Sequence, residues 1–184
     1  MIIHRIKTDV KHYQWIAPNI TEDLMYNYLV FDGLSKTKSW NAIEWYILDS
    51  NQRSGNFFNI NSGVLAFDSA VFNSDLFSIL EMAGEILPIK IEDKSLYALN
   101  VMETINMLDQ EKSTFDYYDD GSKGRILKYK FHNRIPTSPI FKIPETLQGE
   151  ILTYSKVKDK QDEFYYLYKK LEFTGLLFEE LYSS

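Results

Sequence analysis

Cysteine is absent from the 184-residue sequence, and so is any long apolar run. Without cysteine the chain cannot form a disulfide, present a thiolate nucleophile or bind zinc through sulfur, which excludes a small secreted disulfide scaffold. No run reaches about 18 apolar residues, so neither a transmembrane helix nor a membrane partner is predicted. Charges within Met1–Lys7 interrupt the first apolar residues too early for a signal peptide. Together these absences predict a cytoplasmic protein.

Catalytic and cofactor motifs are also missing. The sequence contains no HExxH, GxSxG or Walker A pattern, and His4, His12 and His132 follow no spacing typical of a metal site or a catalytic triad. The segment Gly121–Arg125 has glycines and cations but lacks the P-loop spacing, so it is predicted to be a hairpin turn. No catalytic residue, cofactor or metal ligand is therefore assigned, and the chain is not expected to be an enzyme.

Apolar residues are plentiful enough for a packed core. They make up 45% of the chain, and aromatic residues alone make up 15%. The length fits a single domain over residues 1–184, since one core is usually built from about 100 to 200 residues. No internal repeat or long linker divides the chain. Residues 1–42 match no familiar pattern and are assigned either to the core or to an N-terminal extension of it.

The formal charge of −6 is unevenly distributed along the chain. Residues 61–120 carry 3 basic and 12 acidic groups, net −9, whereas residues 1–60 are neutral and residues 121–184 carry a net charge of +3. An acidic balance opposes general nucleic-acid binding, which requires a cationic surface. The middle third is expected either to attract a basic partner or to have its acids paired with lysines that the fold brings close.

Two segments show the apolar spacing of an amphipathic helix. In Phe72–Ala83, apolar residues recur at i, i+4, i+7, i+8 and i+11, with Asp68 or Ser69 as the N-cap. This apolar stripe is expected to face a sheet. In Val157–Leu171, apolar residues share one face, and Ser155 is the predicted N-cap.

Much of the remaining chain is predicted to form strands. The predicted strands are Tyr26–Phe31, Ile43–Leu48, Ile86–Ile91, Leu96–Val101, Arg125–Phe131, Ile140–Ile143 and Leu176–Phe178. Pro88 favours an edge position for its strand, and the turn to the next strand is expected at Glu92, Asp93 and Lys94. Mixed helices and short hairpins predict an α+β fold, a single domain with a largely antiparallel sheet packed against two main helices.

The most informative binding motif is the aromatic and acidic cluster of Asp116, Tyr117, Tyr118, Asp119 and Asp120. Tyrosine supplies a large contact area at low entropic cost, and flanking carboxylates can steer a basic partner. These five residues are therefore the predicted partner-binding site. In the alternative interpretation, a tyrosine faces the core from a strand and the aspartates form a solvated loop. The spacing of an EF-hand calcium loop is absent.

Five segments also follow one another in a recognisable order. They are Ser62–Leu65, Gly84–Ile89, Tyr97–Val101 with Leu108–Asp109, Ile140–Ile143 and Thr174–Glu180. In this order, over about residues 43 to 182, the chain resembles family eleven of the bacterial immunity proteins from polymorphic toxin systems. The resemblance implies an antitoxin-like protein that binds and blocks a cognate toxin domain in the cytoplasm. It carries over no catalytic residue.

The partner implied by the resemblance is a toxin domain, and the acidic middle third would suit a basic one. Two other functions fit the same sequence. A small enzyme can use a pair of carboxylates for general acid/base catalysis, and the chain has 26 acidic residues. A self-associating structural domain would bury an apolar patch at a two-fold interface. No pattern in the sequence indicates a particular oligomeric state.

Overall fold

The computed structural model describes residues 1–40, 43–92, 94–157 and 159–184. In these ranges the predicted α+β fold is confirmed, because paired strands run antiparallel in several sheets and short helices pack against them. The predicted turn residue Asp93 lies outside the described residues. None of the helices in the described ranges has the length and apolar content that a membrane crossing requires.

The elements are numbered in chain order. The strands are β1 (Ile2–Thr8), β2 (Ile16–Pro18), β3 (Trp45–Ile47), β4 (Phe57–Phe58), β5 (Val64–Phe67), β6 (Gly84–Ile91), β7 (Lys94–Val101), β8 (Thr114–Tyr117), β9 (Lys123–Lys128), β10 (Ile140–Phe141), β11 (Ile151–Ser155) and β12 (Leu176–Ser183). The α-helices are α1 (Glu22–Tyr28), α2 (Ser69–Phe72), α3 (Leu76–Glu81) and α4 (Phe164–Lys170). Short 3₁₀ turns occupy Pro144–Thr146 and Lys160–Asp162.

The first large sheet has the strand order β10-β11-β1-β12. Strand β1 pairs with β11 on one side and with β12 on the other, so the N-terminal segment supplies a central strand of this sheet. Ile3 and Ile6 of β1 are buried, which ties the start of the chain to the core. A bulge between Ile3 and His4 interrupts the register with β12, the exposed edge strand.

The second large sheet has the order β4-β5-β7-β6. Strand β6 lies at the edge, as Pro88 predicted, because proline cannot donate a ladder hydrogen bond. Leu87, Ile89 and Ile91 are buried on one face of β6, whereas Pro88 and Lys90 are exposed. This alternation is typical of a strand with one solvated face.

Layers of other elements cover both faces of the two large sheets. Leu65 and Phe67 of β5 pack with the first sheet, α3 and α4, whereas Val64 and Ala66 pack toward α1, β2 and β3. Alternate residues of one strand point to opposite faces, so β5 is buried throughout. The outer face of the first sheet packs against the β8–β9 hairpin, with Phe115 contributing to that cluster.

The two predicted helices exist, but both are shorter than expected. Asp68 caps α2 by accepting a hydrogen bond from the Val71 backbone N–H at 3.0 Å, as predicted. The first predicted helix is then interrupted at residues 73–75, where the Ser74 hydroxyl donates back to the Val71 carbonyl and competes with helix continuation. The predicted N-cap Ser155 is wrong, because it is the last residue of β11 and α4 begins at Phe164.

The predicted strand Tyr26–Phe31 is also wrong. Residues Glu22–Tyr28 form α1, with acidic residues in the first turn that favour the positive end of the helix dipole. The apolar residues of Tyr26–Phe31 resemble a strand locally, but Leu29 and Phe31 reach the core from the segment that follows α1. The helix itself remains on the surface.

Candidate protein-binding surfaces

The five predicted binding residues lie together at one end of the β8–β9 hairpin. Asp116 and Tyr117 end β8, while Tyr118, Asp119 and Asp120 lead into the turn. The turn is closed by hydrogen bonds from the Tyr118 N–H to the Ser122 carbonyl and from the Gly121 N–H to the Tyr118 carbonyl. The predicted hairpin turn at residues 121–125 is therefore confirmed in its first two residues, after which β9 begins.

Both tyrosines of the hairpin tip face solvent. Tyr117 and Tyr118 are each 64% exposed, although consecutive strand residues normally point to opposite faces. Phe115 and Ile126 pack against the first sheet and anchor the base of the hairpin. The tip therefore extends past the core, and both of its faces meet water.

The carboxylates at the tip differ in their local partners. Asp116 accepts a hydrogen bond from Arg125 Nε at 3.2 Å, and Asp120 accepts from both the Ser122 N–H and its hydroxyl. These two contacts hold the turn in shape. Asp119 is exposed and has no ion pair among the described residues.

The hairpin as a whole is electrically balanced. It carries three acids (Asp116, Asp119 and Asp120) and three cations from β9, and among the described residues only Asp116 forms an ion pair with one of them, Arg125. The cations are Lys123, Arg125 and Lys128. The net charge of −9 in the middle third is thus partly offset here by residues from the last third, as one of the two charge interpretations expected.

Glu85, another acid of the middle third, stabilises a loop. Its carboxylate accepts hydrogen bonds from four donors: the Thr37 hydroxyl, the Lys36 backbone N–H, the Asn100 amide and the Ser35 hydroxyl. Partial burial raises the pKa of Glu85, but these hydrogen bonds outweigh that effect and lower the pKa to about 2. Glu85 therefore joins the polar loop before β3 to strands β6 and β7.

A second exposed surface surrounds α1. A groove of about 790 Å³ opens between α1, the segment that follows it and the turn at residues 147–149, and we call it the α1 groove. Its lining includes the apolar residues Met25, Tyr26, Leu29, Val30, Ile60 and Leu147. The charged residues in its described lining are Glu22 and Asp32. This surface is apolar inside and acidic at its rim.

A buried lysine lies beneath the segment that forms the floor of this groove. Lys142 follows β10, is fully buried, and its Nζ donates a hydrogen bond to the Phe31 carbonyl oxygen at 2.8 Å. Burial lowers the pKa of Lys142 to about 8, although the nearby Asp32 carboxylate raises it. Gly63 permits this approach, because a Cβ there would lie 2.6 Å from the Phe31 carbonyl oxygen and 3.0 Å from Lys142 Nζ.

The histidines occupy unrelated positions. His4 is buried, stacks on Tyr165 at 4.6 Å, and its Nε2 lies 2.8 Å from the Ser155 hydroxyl. His12 is exposed beside Asp9. Within the described ranges, no three histidine or carboxylate side chains lie close enough to hold a metal ion.

Sequence reasoning missed the α1 groove. The helix α1, which forms one wall of the groove, could have been predicted from Thr21, Glu22 and Asp23. A residue type favoured at the N-cap followed by two acids is typical of a helix start. The other wall could not be found by local pattern, because Leu147 is more than 100 residues away from α1.

No protein-family model and no curated protein sequence matches this chain. The resemblance to immunity-protein family eleven stays a prediction from the order of segments in the sequence. Tyr97–Val101 lies in β7 and Gly84–Ile89 lies in β6, whereas Thr174–Glu180 contains the start of the edge strand β12. Such segments describe buried strands and turns, and they assign no functional side chain.

Proposed function

We propose that this chain is an immunity protein that binds and neutralises a cognate bacterial toxin domain in the cytoplasm. The order of segments over residues 43–182 supports the class of protein. The observation that carries the proposal is the hairpin tip, where Tyr117 and Tyr118 lie exposed between the carboxylates of Asp116 and Asp119.

Exposed tyrosines at a projecting turn suit a protein interface. Each ring can bury a large area when it enters a pocket of a partner, and its hydroxyl can pair with a polar group there. A tyrosine has few rotatable bonds, so ordering it costs little entropy. Two adjacent tyrosines can therefore supply the central anchors of the interface.

The base of the hairpin supports this role by limiting motion. Lys123 Nζ lies 4.5 Å above the Phe115 ring and donates a hydrogen bond to Gln110. Asp116 and Arg125 are paired across the two strands. A preorganised turn loses less conformational freedom on binding than a mobile loop does, which favours high affinity.

The charge of the tip selects among partners. Asp119 and Asp120 project at the turn, whereas Arg125 and Lys128 lie further along β9. A toxin surface with a lysine or arginine near its tyrosine pocket would complement the two aspartates. Binding there would block the toxin by covering its active site or an essential surface.

Co-expression tests the proposal. The chain is produced with the toxin domain encoded beside it, and cell survival and co-purification are scored for the wild type and for the double variant Tyr117→Ser/Tyr118→Ser. Rescue and a stable complex with the wild type, and their loss with the variant, are expected. Leu177→Ser, which also replaces an exposed apolar side chain with serine but lies on β12, is the matched control and should still rescue. Wild-type chain that neither rescues cells nor co-purifies would overturn the proposal.

A further inference from the structure

The α1 groove is a second apolar surface, distant in sequence from the β8–β9 hairpin. In the described structure α1 buries none of its seven residues. Tyr26 is 85% exposed, and Val30, which lines the same groove, is exposed as well. Clusters of exposed apolar side chains with a polar rim mark interaction sites more often than scattered single ones do.

Leu147 supplies the opposite wall in an unusual way. It is 91% exposed, and its backbone adopts a left-handed conformation with a φ of 50°. The next residue, Gln148, also has a positive φ, of 59°. Each such non-glycine residue costs about 1 kcal/mol or more in backbone strain. A glycine or an asparagine would adopt this conformation at lower cost. The conformation of the turn therefore does not favour a leucine here, which is consistent with a role for its exposed side chain.

The floor of the groove is fixed before any ligand arrives. Three side chains donate hydrogen bonds to consecutive parts of its backbone: Asn61 to the Leu29 carbonyl at 2.8 Å, Lys142 to the Phe31 carbonyl at 2.8 Å and Lys36 to the Tyr28 carbonyl at 2.9 Å. These bonds tie the end of α1 and the segment after it to the β4–β5 loop, to the residue after β10 and to the loop before β3. A groove that is already formed loses little free energy to rearrangement when it binds.

The charges at the groove indicate the chemistry of its occupant. Glu22, Asp23 and Asp32 are exposed acids at or beside the groove, and none of them forms a salt bridge within the described residues. Asp32 interacts electrostatically with two cations, Lys36 and the buried Lys142. The local balance is acidic and attracts a positive charge.

We propose that the α1 groove docks a segment of a partner polypeptide in which a large apolar side chain is flanked by lysine or arginine. The apolar side chain enters between Tyr26, Val30 and Leu147. The flanking cations meet Glu22 and Asp32 at the rim. This inference does not depend on toxin neutralisation, and it concerns a surface other than the hairpin tip.

Peptide selection tests the inference on the intact chain. A phage-displayed library of random 12-residue peptides is selected on the wild type, and binders are compared with the variants Leu147→Ser and Tyr26→Ser. Enriched peptides should carry net positive charge and a leucine, phenylalanine or tryptophan. Their affinity should fall at least about tenfold in both variants, because each variant removes an apolar wall.

One control variant and one variant of the rim charges complete the test. Leu177→Ser removes an exposed leucine on β12 and should bind the peptides as the wild type does. The double variant Glu22→Gln/Asp32→Asn should weaken binding several-fold and reduce its dependence on salt, because rim charges act mainly through screened attraction.

Three outcomes would overturn the inference. The enriched peptides could be acidic or uncharged, or they could bind Leu147→Ser and the wild type equally well. Sedimentation could show a dimer that Leu147→Ser dissociates, in which case a second copy of this chain occupies the groove. None of these results bears on cell rescue by the hairpin, so this inference and the proposed function fail separately.

Discussion

Because the ammonium group of Lys142 is buried, the stability of the fold is expected to rise with pH in the alkaline range. Burial lowers the pKa of Lys142 from 10.5 to about 8. Between these two values the unfolded chain binds a proton that the folded protein does not. The folded state is therefore increasingly favoured as pH rises from about 8 toward 10.5, and the gain is absent below about pH 8.

The size of the effect follows from the same two pKa values. The whole shift corresponds to about 3 kcal/mol, and the part gained between pH 7 and 9.5 is about 2 kcal/mol. Tyr28 and Tyr168 act in the opposite direction, because burial raises the pKa of each to about 12. Their unfolded phenols ionise first, near pH 10, so measurements should stop at pH 9.5.

Urea unfolding of the wild type and of Lys142→Met at several pH values from 7 to 9.5 tests this reasoning. The wild type should become more stable by about 2 kcal/mol, and Lys142→Met should lose most of that rise. Lys128→Met, which changes an exposed lysine, should keep it. The reasoning is refuted if wild-type stability is flat over this range, or if Lys142→Met retains the wild-type slope.

Three further changes probe the loops and turns that shape the two surfaces. Glu85→Gln should cost about 1 to 2 kcal/mol near neutral pH, allowing for solvent screening of a half-exposed group, and should flatten acid destabilisation measured by urea unfolding. Because the pKa of Glu85 is lowered from 4.5 to about 2, its contribution is complete above about pH 4.5 and is lost as the pH falls toward 2. Gly63→Ala should destabilise the fold by about 2 kcal/mol or more in thermal or urea unfolding, since φ is 75° and the new Cβ would meet the Phe31 carbonyl; a change below about 0.5 kcal/mol would contradict this close approach. Asp68→Ala should cost about 1 kcal/mol through loss of the α2 cap, whereas Asp119→Ala at the hairpin tip should leave the free energy of unfolding nearly unchanged.

Local patterns predicted strands β6 and β7 of the second sheet, but not β4 and β5. The alternation of Leu87, Ile89 and Ile91 defined a buried face, and Pro88 identified the edge strand. Such predictions work for a hairpin because its two strands are close in sequence, so the residues that pair and pack together can be found from the local sequence. The cap at Asp68 was predicted for the same reason, since a capping carboxylate acts on an N–H only three residues away.

Pairing between strands that are far apart in sequence could not be predicted from local patterns. The charges of β1 alternate with its apolar residues, but its central position depends on pairing with β11 and β12, about 150 residues later. The sequence left open whether the acids of the middle third attract a partner or are paired within the fold, and in the structure Glu85 joins a loop to a sheet and Asp116 pairs with Arg125. The fold decides which charges remain available.

The two proposed binding surfaces differ in how far the sequence could predict them. The tyrosines of the hairpin tip were predicted to be binding residues from the composition of five consecutive residues, Asp116 to Asp120. The α1 groove required Tyr26 and Leu147 to meet across the fold, and a helical start at Glu22 was outweighed by an apolar run typical of a strand. The α1 groove therefore depends on tertiary contacts that the local sequence does not reveal.

The proposed function requires this chain to neutralise a toxin domain by binding it. The most direct test titrates the purified chain into the purified toxin domain encoded beside it and follows toxin activity. Binding predicts that inhibition is complete at one chain per toxin, that the intact pair is recovered afterwards, and that Tyr117→Ser/Tyr118→Ser shifts the titration to higher concentrations. Complete inhibition at far less than one chain per toxin, with the toxin chemically altered, would show catalysis and contradict the claim, and so would an absence of inhibition at any ratio.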